Sequence, residues 1–271
     1  MTVSGKKASA GKPLIEFTSW ALLGGDSGRR AAEAAEACAR HGFGFGVQIH
    51  NTAPQWQVES LAASGIPLSV HAPLLGRHII NLAAADPGPA MESLDTSARW
   101  MRKIGARMAV MHAFVMTDIP IPNFGDSSDY EQCFGRALRK ELCLPGSNVN
   151  SFFYGIPEFG ERLERVAARL RDIQKLYPDL TFAVENDFPC YGAGLALPEF
   201  LLGLDCPVCL DSSHLWAAAN VFDRDYLSEA EKLLSGGRVV IAHFHASKCA
   251  PGLPKSRWRD GHLPLSTPSS M

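Results

Sequence analysis

The sequence predicts a single α/β domain built as a TIM (β/α) barrel of parallel strands, and three observations predict it. Short apolar, β-like runs alternate with longer helix-like segments, the pattern of βα units that feed a parallel sheet. The chain has 271 residues, close to the roughly 250 of a TIM barrel. Successive apolar runs end in side chains able to bind a metal, at the strand ends where such barrels carry their functional groups.

The predicted strands are 14–19, 44–50, 67–71, 107–112, 180–185, 207–211 and 239–245. Between them, 28–41 is rich in Ala and Glu, 89–104 carries apolar residues at helical spacing, and 159–176 repeats Leu163, Val166, Leu170 and Ile173. Each of these segments is expected to lay one face on the barrel. Segment 116–156 separates the fourth strand from its helix by roughly forty residues, against the usual two to six of a βα loop. It reads as an insertion beside the active-site face of one domain spanning 1–271, which ends in a short polar tail, 266–271.

Hydrophobic residues make up 46% of the chain and charged residues 20%, so a sizeable core needs no disordered domain beside it. No apolar run reaches the roughly 18 residues of a membrane span, and residues 1–12 lack the apolar stretch of a signal peptide. A cytoplasmic protein that does not enter membranes is expected. The 7 cysteines are odd in number and scattered, so they are expected to be reduced. Only Cys206 and Cys209 approach a metal-binding spacing, and Cys209 falls in an apolar run, which suits a buried thiol. A net charge of −2 provides no global basic field for phosphate backbones.

The polar ends of the runs carry the functional signal. The third ends in His71, the fourth in His112, the fifth in Glu185 and the sixth in Asp211 with His214 close behind; the seventh contains His243 and His245. His, Asp and Glu are the preferred ligands of zinc, manganese and related ions, so one or more divalent ions are expected here.

Several motifs at these ends resemble those of the xylose-isomerase-like superfamily, which includes sugar phosphate isomerases and epimerases and the endonuclease IV family. Val70-His71-Ala72-Pro73-Leu74, continuing to Ile80-Asn81-Leu82, is similar to its third-strand motif, and Met111-His112 to its fourth. Ala183-Val184-Glu185-Asn186 resembles the fifth-strand motif, and Cys209-Leu210-Asp211-Ser212-Ser213-His214 the Asp-x-x-His signature. Ala242-His243-Phe244-His245-Ala246-Ser247-Lys248 and Asp260-Gly261-His262-Leu263-Pro264-Leu265 resemble the seventh strand and the loop after it. Over roughly residues 14–265 the resemblance implies this barrel fold, with His71, His112, Glu185, Asp211, His214, His243, Asp260 and His262 as ligands. The sequence departs from the pattern after Leu265, where no eighth strand with its Glu ligand follows. The barrel is therefore expected to be a strand short, with an open edge that invites a second copy.

Two chemistries follow from the resemblance. An ion on Glu185, Asp211 and His243, with Glu185 as general base, suits proton transfer on a hydroxy-carbonyl, hence a sugar isomerase or epimerase with a small carbohydrate-like substrate. The fuller ligand set suits two or three zinc ions cleaving a phosphodiester, with abasic DNA as the substrate. A barrel that binds metal but is catalytically impaired is the third reading. Asn186, His245, Lys248 and Trp216 are the candidate substrate contacts. Arg77, Lys248, Lys255, Arg257 and Arg259 form only a modest basic cluster, read as a solvated loop, so the sequence favours the carbohydrate substrate.

Overall fold

β-branched, aromatic and small apolar residues in short runs form seven strands: β1 (Leu14–Thr18), β2 (Gly44–Ile49), β3 (Leu68–His71), β4 (Met108–Met111), β5 (Thr181–Glu185), β6 (Val208–Asp211) and β7 (Val239–His243). All pair in parallel in the order β1-β2-β3-β4-β5-β6-β7, as a curled sheet with helices between its strands. The computed structural model describes residues 13–22, 27–124, 130–250 and 252–267. The ends at 1–12 and 268–271, including part of the polar tail, lie outside the described residues. No helix among the described residues is long and apolar enough to cross a membrane.

The middle of the sheet is covered on both faces, which is why β4, β5 and β6 read as unbroken apolar runs rather than alternating ones. The two edges differ. Leu14, Ile15 and Phe17 on β1 and Val240 on β7 are exposed, and no eighth strand joins these edges among the described residues. The expectation of a barrel lacking its last strand is met.

Among the described residues, eight α-helices accompany the strands: α1 (Ser27–Arg40), α2 (Gln55–Ala63), α3 (Gly88–Ile104), α4 (Tyr130–Gly135), α5 (Pro157–Leu176), α6 (Pro198–Gly203), α7 (Ser212–Val221) and α8 (Tyr226–Ser235). In α3, Ala90, Leu94, Ala98 and Met101 recur at helical spacing and are buried. The helix stops at Gly105, whose φ of 75° is left-handed and costs a glycine little. In α5 a proline in the first turn starts the helix, and Phe159, Val166, Leu170 and Ile173 form its buried stripe. The short helices α2, α6 and α7 lack so clear a stripe in the sequence.

Segment 116–156 contributes α4, a 3-10 turn at Lys140–Leu142 and a hydrophobic cluster of its own. Ile121, Cys133, Phe134 and Val149 pack there with Phe188 after β5 and Trp258 after β7. This second core holds the loop after β7, which carries Asp260 and His262, against the strand ends.

Candidate metal centre

Strand register brings the ligand-type side chains together. His71 pairs with Val110 on β4, Glu185 with Cys209 on β6, and Asp211 with His243 on β7, so their side chains meet at one end of the sheet. β4 ends at Met111, and His112 follows directly. His214 lies in the first turn of α7, whose N-cap is Asp211: the His214 backbone N–H donates to Asp211 Oδ1 at 2.7 Å. Asp211 therefore fixes the helix start and still offers Oδ2 to the centre.

Glu185 sits at the middle and is buried. Its Oε2 lies 3.2 Å from His71 Nε2 and 3.4 Å from His112 Nε2, while Oε1 lies 2.6 Å from His243 Nδ1. Glu185, Asp211 and His214 offer ligand atoms within 4.8 Å of one another, as expected of carboxylates facing one cavity. His71, His112 and Glu185 form a second such group, and His214, His245, Asp260 and His262 a third. Asp260 Oδ2 lies 3.1 Å from His214 Nε2 and 2.9 Å from His262 Nε2.

Outer partners aim these rings. His112 Nδ1 lies 2.8 Å from Asp187 Oδ1, and His214 Nδ1 lies 2.9 Å from the Asn186 carbonyl oxygen. With Nδ1 carrying the proton toward those acceptors, each ring turns the lone pair of Nε2 inward, the arrangement of a metal-binding imidazole. Asp187 was not legible as a functional residue; its only signal is an acid two positions after Glu185. Its other oxygen accepts the Leu195 N–H at 2.8 Å. Asp187→Asn is expected to weaken zinc binding by about 10–100-fold, read by competition with a chromophoric chelator.

The charge balance suits cations. Glu185, Asp187, Asp211 and Asp260 are four carboxylates gathered among six histidines, of which only His112 and His262 are substantially exposed. Burial alone would raise Glu185, yet the His243 and His112 charges and the bonds from His243 and His71 hold it well below the usual carboxylate range. Burial likewise opposes ionisation of Asp260, and His214 and His262 hold it low. His214 is raised well above its ordinary value: burial pulls it down, but Asp211, Asp260 and Glu185 outweigh that pull. Divalent ions would take the place of those protons. One atom supports the fit directly, since Asp260 Oδ1 is buried without a hydrogen-bond partner among the described residues.

The other nominated residues fall around this centre. Both ends of the Asn186 amide are taken by Asp211 backbone: Nδ2 donates to its carbonyl at 2.9 Å, and its N–H donates to Oδ1 at 2.7 Å. That brace locks β5 to β6. His245 is buried, with Nε2 3.0 Å from Asp211 Oδ2. Lys248 is exposed, three residues after His245. Trp216 packs edge-on to Tyr226 and donates to the Cys249 carbonyl at 3.2 Å, tying α7 to the loop after β7. Cys209 also falls within ligand distance of Glu185 and His243, but burial and then Glu185 and Asp211 push its thiol well up, so it stays protonated. Glu16 on β1 went unnoticed in the sequence; it accepts the Ser69 hydroxyl at 2.7 Å, and burial raises its carboxyl.

No protein-family model and no curated protein matches the chain. Solved structures do. A D-tagatose 3-epimerase-like protein aligns over 94% of this chain and 80% of its own, at 15% identity and a TM-score of 0.55. Endonuclease IV from Thermus thermophilus aligns over 93% and 82%, at 18% identity and a TM-score of 0.50. The chain shares the α/β barrel fold of these two structures. Among the described residues it has seven strands, with its ligand-type residues on five of the strand ends and on the loop after β7.

One neighbour of the centre responds to pH in a defined direction. His50, within ring contact of His71, has its pKa lowered from 6.5 to about 3, by burial first and then by His71 and His262. Unfolded, it titrates near its ordinary value, so between these limits the unfolded chain binds the extra proton. Its contribution to stability is complete above about pH 6.5 and is lost as pH falls toward 3, by about 2 kcal/mol at pH 5. The difference in unfolding free energy between the wild type and His50→Gln, followed from pH 7 to 5 in metal-free protein, is expected to shrink by that amount.

Proposed function

We propose that this chain is a metal-dependent enzyme that hydrolyses a phosphoester, in which His71, His112, Glu185, Asp211 and His243 would hold two divalent ions, zinc or manganese. One observation carries the reading. The two oxygens of Glu185 face different partners, Oε2 toward His71 and His112 and Oε1 toward His243, which stands 3.9 Å from Asp211 Oδ2. A carboxylate divided in this way suits a bridge between two ions better than a base free to take a proton from carbon. Bound there, a pair of ions supplies Lewis acidity for a phosphoryl oxygen and lowers the pKa of the attacking water.

The chain's own groups do the rest. Asp187 holds the His112 ring in orientation, and Asn186 fixes the position of Asp211. His112 and His262 are the more exposed of these rings, which supports an approach of substrate from their side. Lys248, exposed and three residues after His245, is the cation we assign to the substrate's negative charge. Among proteins of this fold, one similar structure is an endonuclease IV, and nucleic acid belongs to this reading.

A second reading, a sugar isomerase or epimerase acting on a hydroxy-carbonyl, has its own support in Glu16. This half-buried carboxyl, with its pKa raised, lies on β1 at the edge where an eighth strand would bring a glutamate, and it can serve as the second proton carrier. The zinc- or manganese-loaded protein should be assayed on duplex DNA with an abasic site, on an activated phosphodiester and on ketohexoses. Phosphodiester cleavage that disappears in His71→Ala is expected. Epimerisation lost in Glu16→Gln would establish the second reading instead. Loaded protein inert on every substrate would leave only a metal-binding barrel.

A further inference from the structure

We propose that Trp258 is a positioning residue: its indole, seated in the core built by segment 116–156, sets the place of Asp260 and His262 at the centre and so governs how tightly an ion is held there. This rests on the reading that the centre binds metal, and it assigns segment 116–156 a task, that of holding the ligand-bearing loop. Trp258 stands two residues before Asp260 and four before His262. It is 2% exposed, whereas Arg257 and Arg259 on either side and Gly261 and His262 beyond are exposed.

An exposed polar loop that buries one indole is fixed at that point. The ring belongs to the second hydrophobic cluster, to which segment 116–156 contributes Ile121, Cys133, Phe134 and Val149. Its Nε1 donates to the Leu253 carbonyl at 3.0 Å, so the one polar atom the ring carries inside is satisfied. Bonds from the same segment flank it. Ser147 Oγ donates to the Ser256 carbonyl at 3.1 Å, and Glu131 Oε1 stands 3.6 Å from Arg259 Nε. Ser256, Trp258 and Arg259 are thus all held by this one segment.

The other fasteners act elsewhere along the loop. The bridge of Ala246 with Leu263, at 2.8 and 3.1 Å, joins its two ends, and Lys255 Nζ reaches the Val221 carbonyl at 3.1 Å and Asp223 Oδ1 at 3.0 Å before the chain arrives at Trp258. The Glu131–Arg259 pair lies in solvent on both sides, 59% and 51% exposed, and such a pair contributes little. The buried ring is therefore the main hold next to Asp260. Ligand bonds to a metal keep their length to within about 0.2 Å, so a loop free to shift would present Asp260 and His262 poorly.

The test uses the full chain. Wild type, Trp258→Ala, Trp258→Phe and, as a control for general loss of stability, Leu94→Ala in the main core are compared for zinc affinity by competition with a chromophoric chelator and for thermal unfolding. Tryptic cleavage after Lys255 and Arg257 is followed in the metal-free proteins. Trp258→Ala is expected to hold a zinc ion at least about 10-fold more weakly and to be cut faster in the loop. Leu94→Ala should melt lower yet keep wild-type affinity and cleavage. Trp258→Phe, which refills most of the ring's volume, should recover most of the affinity. If Trp258→Ala does not fold, Trp258→Leu carries the same prediction at smaller size. Wild-type zinc affinity in the folded Trp258 variant, or an equal loss of affinity in Leu94→Ala, would overturn the inference while leaving the metal centre standing. Wild type that takes up no zinc would overturn both. Zinc-binding wild type that cleaves no phosphodiester, with Trp258→Ala weakened as expected, would leave the role of Trp258 standing and remove the proposed reaction.

Discussion

Glu185→Gln is expected to abolish turnover and to reduce metal uptake more than any other single substitution in the chain. The side chain keeps its shape but loses its charge, at a position where His71, His112 and His243 all approach within 3.4 Å. An amide presents one weak oxygen ligand and one N–H donor, so it cannot bridge, and its N–H faces imidazole nitrogens that are themselves required as lone-pair donors. Loss of an outer-shell partner typically reduces metal affinity or activity by about 10–100-fold, and loss of the bridging ligand should exceed that. Turnover down by roughly 1,000-fold or more, with at least one ion lost, is the expected result. Titration of zinc into the variant, followed by activity on the preferred substrate, checks it. Turnover within 10-fold of wild type would mean that Glu185 is not at the reacting end of the molecule.

The largest effect on stability is expected at Arg162, on α5. This side chain is only 4% exposed, yet it is charged, and every donor has a partner. Nη1 and Nη2 grip Asp118 at 2.9 Å each, Nε donates to Glu158 at 2.8 Å, and Nη1 also reaches the Ala83 and Thr117 carbonyls at 3.2 Å. The guanidinium thus joins α5 to the loops after β3 and β4, which follow His71 and His112. Arg162→Ala removes the paired bonds to Asp118 and opens a cavity, while the Ala83 and Thr117 carbonyls keep bonds from Arg165 and Asn81. Breaking a buried pair costs about 3–5 kcal/mol, and the half-exposed Asp118 places this case near the lower end, about 3 kcal/mol. Thermal unfolding should fall by roughly 6–12 °C. A shift below about 2 °C would show that the network contributes little. Arg162→Lys keeps the charge but not the two-pronged grip on Asp118 and should recover only part of the loss.

The order of strands was legible in the sequence because parallel strands buried on both faces are unbroken apolar runs, and such runs end where the chain turns polar. That rule located Glu185 and Asp211 at the ends of β5 and β6, and His71 at the end of β3. It was less exact at β7, which ends at His243, so that His245 lies beyond the strand yet still turns inward. The stripes of α3 and α5 were legible for the same reason that they are stable, an apolar face at helical spacing. α6 and α7 were not, since α6 is one short turn and α7 is buried almost all round, which removes the periodic contrast.

Residues that act through another residue were the hardest to see. Asp187 gains its importance only when β4 and β5 lie side by side and His112 comes within 2.8 Å. Glu16 is a strand carboxylate whose neighbour Ser69 is two strands away in the sheet. Asn186, nominated for substrate, is instead bound at both ends to the Asp211 backbone. These roles depend on tertiary distances, and a single sequence carries no trace of them.

The ratio of bound metal to chain tests the central claim most directly. Full-length protein equilibrated with excess zinc or manganese, freed of loose ion and analysed for metal, should carry more than one ion per chain. His71→Ala, measured alongside, should carry fewer. A wild-type ratio well below one, unchanged in His71→Ala, would contradict the account, because the buried carboxylates around Glu185 would then be balanced by protonated histidines alone.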